Sequence, residues 1–234
     1  MHDQALDREV QGLSFVLESH DGCLQLRAAH HPDYGSICAD WASAEQHRRI
    51  SAGRKQLLAR AFGLHRKREI VSVLDATAGL GRDGFTLAAL GLQVTMTERH
   101  PQILALLMDA QQRALRDAAM QSIARRIDIV ATDARRLLQQ DQHWDAIYLD
   151  PMYPHAAKSA LPQKEMQLFR ELTRGDPDAD ALLQPARACA RRRVVVKRPL
   201  RAPWLADCAP TLSLKGTQAR FDIYLAATTA DAHA

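Results

Sequence analysis

A chain of 234 residues, 47% hydrophobic and 25% charged, can bury a full core and is too apolar to be largely disordered. No run approaches the roughly 20 apolar residues that span a bilayer, and Met1-His2-Asp3-Gln4 lacks the basic and apolar parts of a secretory signal, so a cytoplasmic protein is expected. The formal charge of +4 is segregated: eight Lys or Arg and no acid lie between His47 and Arg68, seven and no acid between Arg187 and Arg201, and the remainder is net acidic.

Residues 1–45 read as a small β unit, with short apolar runs at Ser14 to Leu17, Cys23 to Leu26 and Ser36 to Ala39 separated by Asp21-Gly22 and Pro32-Asp33-Tyr34-Gly35. Residues 46–69 form a basic helical connector: Leu57, Leu58, Ala61 and Phe62 fall at helical spacing between a capping Ser51 and a stopping Gly63. From 70 to 234 strand and helix alternate. Strands are expected over Ile70 to Leu74, Gln93 to Thr97, Ile127 to Ala131, Trp144 to Leu149 and Arg193 to Val196, and helices near 82–90, 101–119, 134–140, 163–173 and 178–191. That order predicts an α/β, Rossmann-like fold with a mainly parallel seven-stranded sheet covered on both faces. Thr211 to Leu214 and Phe221 to Ala226, around Lys215-Gly216-Thr217-Gln218, predict a closing antiparallel hairpin.

Gly79-Leu80-Gly81-Arg82-Asp83-Gly84 has the form G-x-G-x-x-G between a predicted strand and helix, and Glu98 ends the next strand 23 positions after Asp75. In outline this is a dinucleotide site, and an NAD-dependent oxidoreductase is one reading. Two details favour S-adenosylmethionine. Asp75 and Thr77 lengthen the turn, where a dinucleotide fold runs straight into its first glycine, and Asp83 places a carboxylate in the first helical turn, where a pyrophosphate needs free N–H groups. S-adenosylmethionine has no phosphate. Arg82 would take its carboxylate, and Asp83 or Asp75 its positive groups. Glu98 would accept from the ribose hydroxyls, or serve only as an acid ahead of the helix at Pro101. Thr132-Asp133 would receive the adenine amine, with or instead of an Asp133 helix cap.

Asp150-Pro151-Met152-Tyr153 follows the strand Trp144 to Leu149, at the sheet edge where open α/β folds bind ligands. It resembles the D/N-P-P-Y/F motif of methyltransferases acting on exocyclic amines of nucleobases, with Met152 in place of the second proline. Such an amine is a poor nucleophile because its lone pair is delocalised into the ring. The Asp150 carboxylate and the Pro151 carbonyl can each accept one N–H, aim the nitrogen and stabilise the charge that develops on it. Tyr153 offers a face for stacking. Cys23, Cys38, Cys189 and Cys208 form no C-x-x-C pair, so no metal and no disulfide framework is expected, only buried reduced thiols.

Asp75-Ala-Thr-Ala-Gly-Leu-Gly-Arg-Asp83, Leu149-Asp-Pro-Met-Tyr-Pro-His155, Lys158-Ser-Ala-Leu161, Lys164-Glu-Met166, Val194-Val-Val-Lys-Arg-Pro199 and Arg220-Phe-Asp-Ile-Tyr224, with His47-Arg48-Arg49, resemble the bacterial small-subunit ribosomal RNA guanine-N2 methyltransferase J family over roughly residues 24–226. The resemblance implies a class I S-adenosylmethionine-dependent fold. It also implies methylation of one guanine N2 amine in 16S rRNA, with the small ribosomal subunit as partner. Arg82, Asp83, Glu98, Arg99, Thr132, Asp133 and Asp150 match the family's cofactor positions, alongside Asp75, Gly79 and Gly81 of the turn. The basic blocks then acquire a use: His47, Arg48, Arg49, Arg54, Lys55, Lys197 and Arg198 would hold the RNA backbone while the target base is splayed out. A non-catalytic RNA-binding assembly factor on the same fold is the remaining alternative.

Overall fold

The computed structural model describes residues 8–10, 13–65, 70–152, 164–173 and 175–226. Strands β1 (Arg8–Val10), β2 (Leu13–His20), β3 (Cys23–Ala28) and β4 (Ser36–Ile37) form an antiparallel sheet in chain order. Between β2 and β3, Asp21 and Gly22 both take positive φ (49° and 73°), the type I′ geometry that an Asp-Gly pair favours because it matches strand twist. The connector differs from the single helix expected. Helix α1 (Ala44–Ser51) starts at Ser43, whose hydroxyl accepts from the Gln46 N–H, so Ser51 ends a helix instead of capping one. A left-handed Gly53 (φ 56°) then breaks the chain before the short helix α2 (Leu57–Ala61), which stops at Gly63 (φ 74°) as predicted.

The second sheet comprises β5 (Ser72–Asp75), β6 (Gln93–Glu98), β7 (Ile127–Ala131), β8 (Trp144–Leu149), β9 (Ala190–Pro199), β10 (Leu212–Lys215) and β11 (Ala219–Leu225), in the order β7-β6-β5-β8-β9-β11-β10. β11 is antiparallel to both neighbours; the other pairings are parallel. Strand alternation splits the core in two. Val73, Ala146, Tyr148 and Val195 face one side with helices α3 (Arg82–Ala89), α4 (Pro101–Arg116), α5 (Gln121–Ala124) and α7 (Lys164–Thr173). Leu74, Ile147, Leu149, Val194 and Val196 face the other with α6 (Ala134–Leu138) and α8 (Leu183–Cys189). The strand order reverses between β5 and β8, a topological switch point that opens a crevice beyond their carboxyl ends.

The N-terminal sheet shares the first of these cores. Phe15, Leu26 and Trp41 are buried with Phe85, Ile103 and Leu107. Trp41 stacks on Phe85 (centroids 4.6 Å apart) and its indole N–H donates to the Leu80 carbonyl at 2.9 Å. From α1, the buried Gln46 amide donates to the Arg82 carbonyl and to Thr86 Oγ1, both at 3.0 Å. Elsewhere the Leu24 N–H donates to Asp109 of α4 (3.2 Å), while His30 Nε2 (2.9 Å) and the Tyr34 hydroxyl (3.2 Å) meet Glu171 of α7. Of the four free cysteines only Cys189 is fully buried, so the expectation of buried thiols is corrected for Cys23, Cys38 and Cys208, which are half-buried. Burial and the neighbouring Cys38 thiol push Cys23 up to about 12. Among the described residues no helix is long and apolar enough to cross a membrane.

Trp41 thus joins the two sheets by both packing and a hydrogen bond. Trp41→Ala is expected to cost about 3–5 kcal/mol in urea unfolding, and Trp41→Phe, which keeps a ring but loses the bond to Leu80, about 1–2 kcal/mol. Wild-type stability in Trp41→Phe would show that the hydrogen bond contributes nothing.

Candidate active site

A cavity of about 350 Å³ opens over the carboxyl ends of β5, β6, β7 and β8, lined among others by Asp75, Gly79, Glu98, Asp133, Asp150 and Lys197. Its floor is the turn after β5. Gly81 caps α3 in the left-handed region (φ 72°), and a Cβ there would lie 2.5 Å from Leu107 Cδ1 and 2.8 Å from the Trp41 ring, so only glycine fits. Gly79 (φ 54°) has nothing within 4 Å of where its Cβ would be, leaving the turn's backbone bare. Its N–H donates to Glu98 Oε2 at 3.2 Å, and the His100 N–H to Glu98 Oε1 at 2.7 Å. Burial raises the Glu98 carboxyl, and these two N–H groups oppose that rise.

Charge is concentrated beside the turn. Asp83, in the first turn of α3, is nearly buried and accepts from three donors: the Arg49 guanidinium of α1, the Tyr148 hydroxyl of β8 (2.7 Å) and Lys197 Nζ of β9 (3.0 Å). Lys197 also donates to Asp150 Oδ2 at 2.7 Å, so one ammonium bridges two carboxylates. Asp75, 1% exposed, is pushed up to about 7, first by burial and then by Asp150, against the Thr77 N–H and Lys197, which lower it. Burial, with Asp150 and Asp75 nearby, holds the Tyr148 phenol well above its usual value, so it stays a donor.

The loop after β8 is pinned by its backbone. The Asp150 N–H donates to Thr77 Oγ1 and the Met152 N–H to Asp176 Oδ2, both at 2.7 Å, and Pro151 is buried. Asp176 also pairs with Arg99 (2.9 Å), which pairs in turn with Asp178 (2.8 Å) and Asp133 (3.4 Å). Asp178 raises Arg99, while Arg135 holds Asp133 down near 2. Asp133 Oδ1 caps α6 by accepting from the Arg135 N–H (2.9 Å).

Asp75 to Leu80 of the turn, Arg82, Asp83, Glu98, Arg99, Thr132, Asp133 and Asp150 therefore line one cavity, while Gly81 lies behind it against Leu107 and Trp41 and Pro151 is buried outside its lining. Tyr153 lies outside the described residues, as do the side chains of Lys158 and Lys164. The basic residues divide. His47, Arg48 and Lys55 are exposed and Arg54 is half-buried. Arg49 and Lys197, expected on an RNA surface, instead line the cavity as partners of Asp83. Arg198 is only 3% exposed and donates twice to the Pro203 carbonyl (3.1 and 2.8 Å), so it presents no charge to a phosphate. The ten residues of β9 span ~33 Å, which puts Arg191 to Arg193 at the opposite edge of the sheet from Lys197. Sequence reasoning passed over Tyr148, Asp176, Asp178, Trp41 and Gln46. A tyrosine within a buried strand, whose hydroxyl must find a partner, was the available signal for the first.

This donor set fits a phosphate-free nucleoside bearing positive charge. Acidic side chains line the cavity, Arg99 is already committed to three of them, and a pyrophosphate on the α3 N-terminus would meet Asp83. Residues 3–226 match the family model described as "Putative SAM-dependent methyltransferase". The chain is 44% identical over 214 residues to the ribosomal RNA small subunit methyltransferase J of Actinobacillus succinogenes, covering 90% of this chain and 83% of that one. It is 46% identical over 219 residues to its namesake in Thioalkalivibrio sulfidiphilus, with 91% and 84% covered. The crystal structure of the SAM-dependent methyltransferase NGO1261 from Neisseria gonorrhoeae superposes with a TM-score of 0.70 at 33% identity, covering 93% of this chain and 85% of that one. With the strand order, the bare glycine turn and the acidic cavity all in place, the chain belongs to the S-adenosylmethionine-dependent methyltransferase family that includes the ribosomal RNA small subunit methyltransferases J.

Proposed function

We propose that this protein methylates the exocyclic N2 amine of one guanosine in 16S rRNA of the small ribosomal subunit, in the cytoplasm. The observation that carries this reading is Asp150 on the cavity wall at the switch-point crevice, the backbone around it pinned by Thr77 and Asp176 beside a bare glycine turn. S-adenosylmethionine, when bound, supplies the methyl group as a sulfonium electrophile. Lys197 holds one oxygen of Asp150, which leaves Oδ1 to accept one N–H of the amine. The Pro151 carbonyl accepts the other, so the lone pair is directed at the incoming carbon and the developing positive charge meets two oxygens. No strong base is needed, because the alkylated nitrogen is acidic and sheds a proton. In this reading Glu98 accepts from the ribose hydroxyls, and Thr132-Asp133 from the adenine amine. Arg82 takes the cofactor carboxylate, and Asp75 its ammonium. His47, Arg48, Arg54 and Lys55 supply phosphate contacts that position the RNA without reading it.

Two measurements test these roles. With labelled S-adenosylmethionine and small-subunit rRNA or subunits from cells lacking the protein, nuclease digestion is expected to yield N2-methylguanosine. Asp150→Ala should lower the rate at least about a hundredfold while cofactor affinity falls only partly. No transfer to either substrate would favour the assembly-factor reading.

The second measurement concerns pH. With Asp75 titrating near 7 in the folded protein, an ammonium beside it favours the ionised form. S-adenosylmethionine affinity is therefore expected to fall as pH drops below 7, approaching about tenfold per pH unit, and to lose this dependence in Asp75→Asn. Stability carries the opposite sign. The folded chain keeps a proton that the unfolded chain loses near 3.8, so stability falls as pH rises from about 4 to 7 and levels off above. Urea midpoints of the wild type and Asp75→Asn across that window read it directly; parallel curves would contradict it.

A further inference from the structure

Beyond the end of β9 the chain makes a loop, residues 200–207, whose construction is costly. Arg198 and Arg220 stand directly opposite each other in the β9–β11 ladder and are 3% and 5% exposed, an arrangement that like charges disfavour. Their guanidiniums are spent on the loop. Arg220 donates to the carbonyls of Pro199 (3.0 Å) and Leu200 (2.9 Å), Arg198 grips the Pro203 carbonyl, and the fully buried Asp222 balances Arg220 at 2.9 Å. Ala206 and Asp207 sit at φ 53° and 51°, left-handed positions that cost non-glycine residues energy, and the Ala206 N–H is fastened to Asp180 at 2.7 Å. What this framework presents to solvent is Trp204, 47% exposed, between the gripped Pro203 and the buried Leu205, with Leu200 (38% exposed) and the exposed Arg201 earlier in the same loop.

The loop's place ties it to the site. β9 runs parallel to β8 with Val196 opposite Leu149, so its carboxyl end lies at the same edge as Asp150. Residues 205–207 pack on the 179–182 turn, whose Leu182 lines the cavity. An exposed aromatic ring on a fastened backbone beyond the strand end that faces such a site, with an arginine three residues before it, has the properties needed to stack an unpaired nucleobase, because little backbone entropy is lost on binding.

Resting on the RNA methyltransferase reading, we propose that Trp204, with Arg201, is a stacking platform for an unstacked base of the RNA strand beside the target guanosine. It contributes to RNA affinity and takes no part in cofactor binding. The fluorescence of this protein reads it cleanly, since Trp41 and Trp144 are 1% and 7% exposed and only Trp204 among the three tryptophans meets solvent.

Single-stranded oligonucleotides carrying the target sequence are expected to quench this fluorescence and to shield it from acrylamide, effects absent in Trp204→Phe. Trp204→Ala should raise KM for rRNA about tenfold, the loss of one stacked base, with kcat and S-adenosylmethionine affinity unchanged. Trp204→Phe should restore most of the KM. An unchanged KM in Trp204→Ala, or an effect on self-association alone in sedimentation, would overturn the platform. Wild-type protein that is quenched by RNA yet transfers no methyl to rRNA would instead overturn the reaction assigned above and leave the platform standing.

Discussion

The site depends on one ammonium, Lys197 Nζ, placed between the carboxylates of Asp83 and Asp150. Strand ends that converge on a crevice bring their acids together. Asp75, Glu98 and Asp150 come from three strands, and Asp83 from the helix opposite. Left alone, such a set would repel and protonate. Lys197, with Arg49 across from it, lets Asp83 and Asp150 stand close to each other. Asp75, buried and beyond direct contact with either cation, bears the remaining stress as a raised proton affinity. A cofactor that carries positive groups and no phosphate, as S-adenosylmethionine does, suits that imbalance.

Much of the architecture was legible before any coordinates, because a buried parallel strand announces itself as a short apolar run between turn residues. Trp144 to Leu149 and Ile127 to Ala131 have the boundaries read from their pattern. The β9 strand was read short at both ends because arginines flank its valines, and only pairing with β8 and β11 carries them into the ladder. The basic connector was misread for a related reason. Helical spacing at Leu57 to Phe62 is real, but the left-handed Gly53 divides the segment, and a propensity argument weighs one glycine lightly.

Around the cavity, the lining residues adjacent to recognisable turns stand out in the sequence, and those that make contacts across the fold do not. Lys197 was grouped with its charged neighbours, yet alternation separates it from Arg198: one side chain enters the cavity and the other lies against the loop beyond β9. A lysine ending a run of three buried valines, at the strand edge that holds Asp150, was the signal, and it needed the strand order to be used. Asp176 and Asp178 belong to a polar loop with no periodicity. Asp176 joins Arg99 to the Met152 backbone and Asp178 holds Arg99 beside it, pairings that exist only in three dimensions.

The contacts from Trp41 and Gln46 to Leu80, Arg82 and Thr86 bear on how such proteins can be recombined. The N-terminal sheet and the glycine turn meet as complementary halves of one wall. A chimera that takes residues 1–45 from one relative and the remainder from another would set a foreign indole against Leu107 and the Gly81 backbone. Exchange is best made in blocks that keep residues 41–49 with 80–86, and a shortened chain lacking residues 1–43 would lose Trp41, the back of its glycine turn.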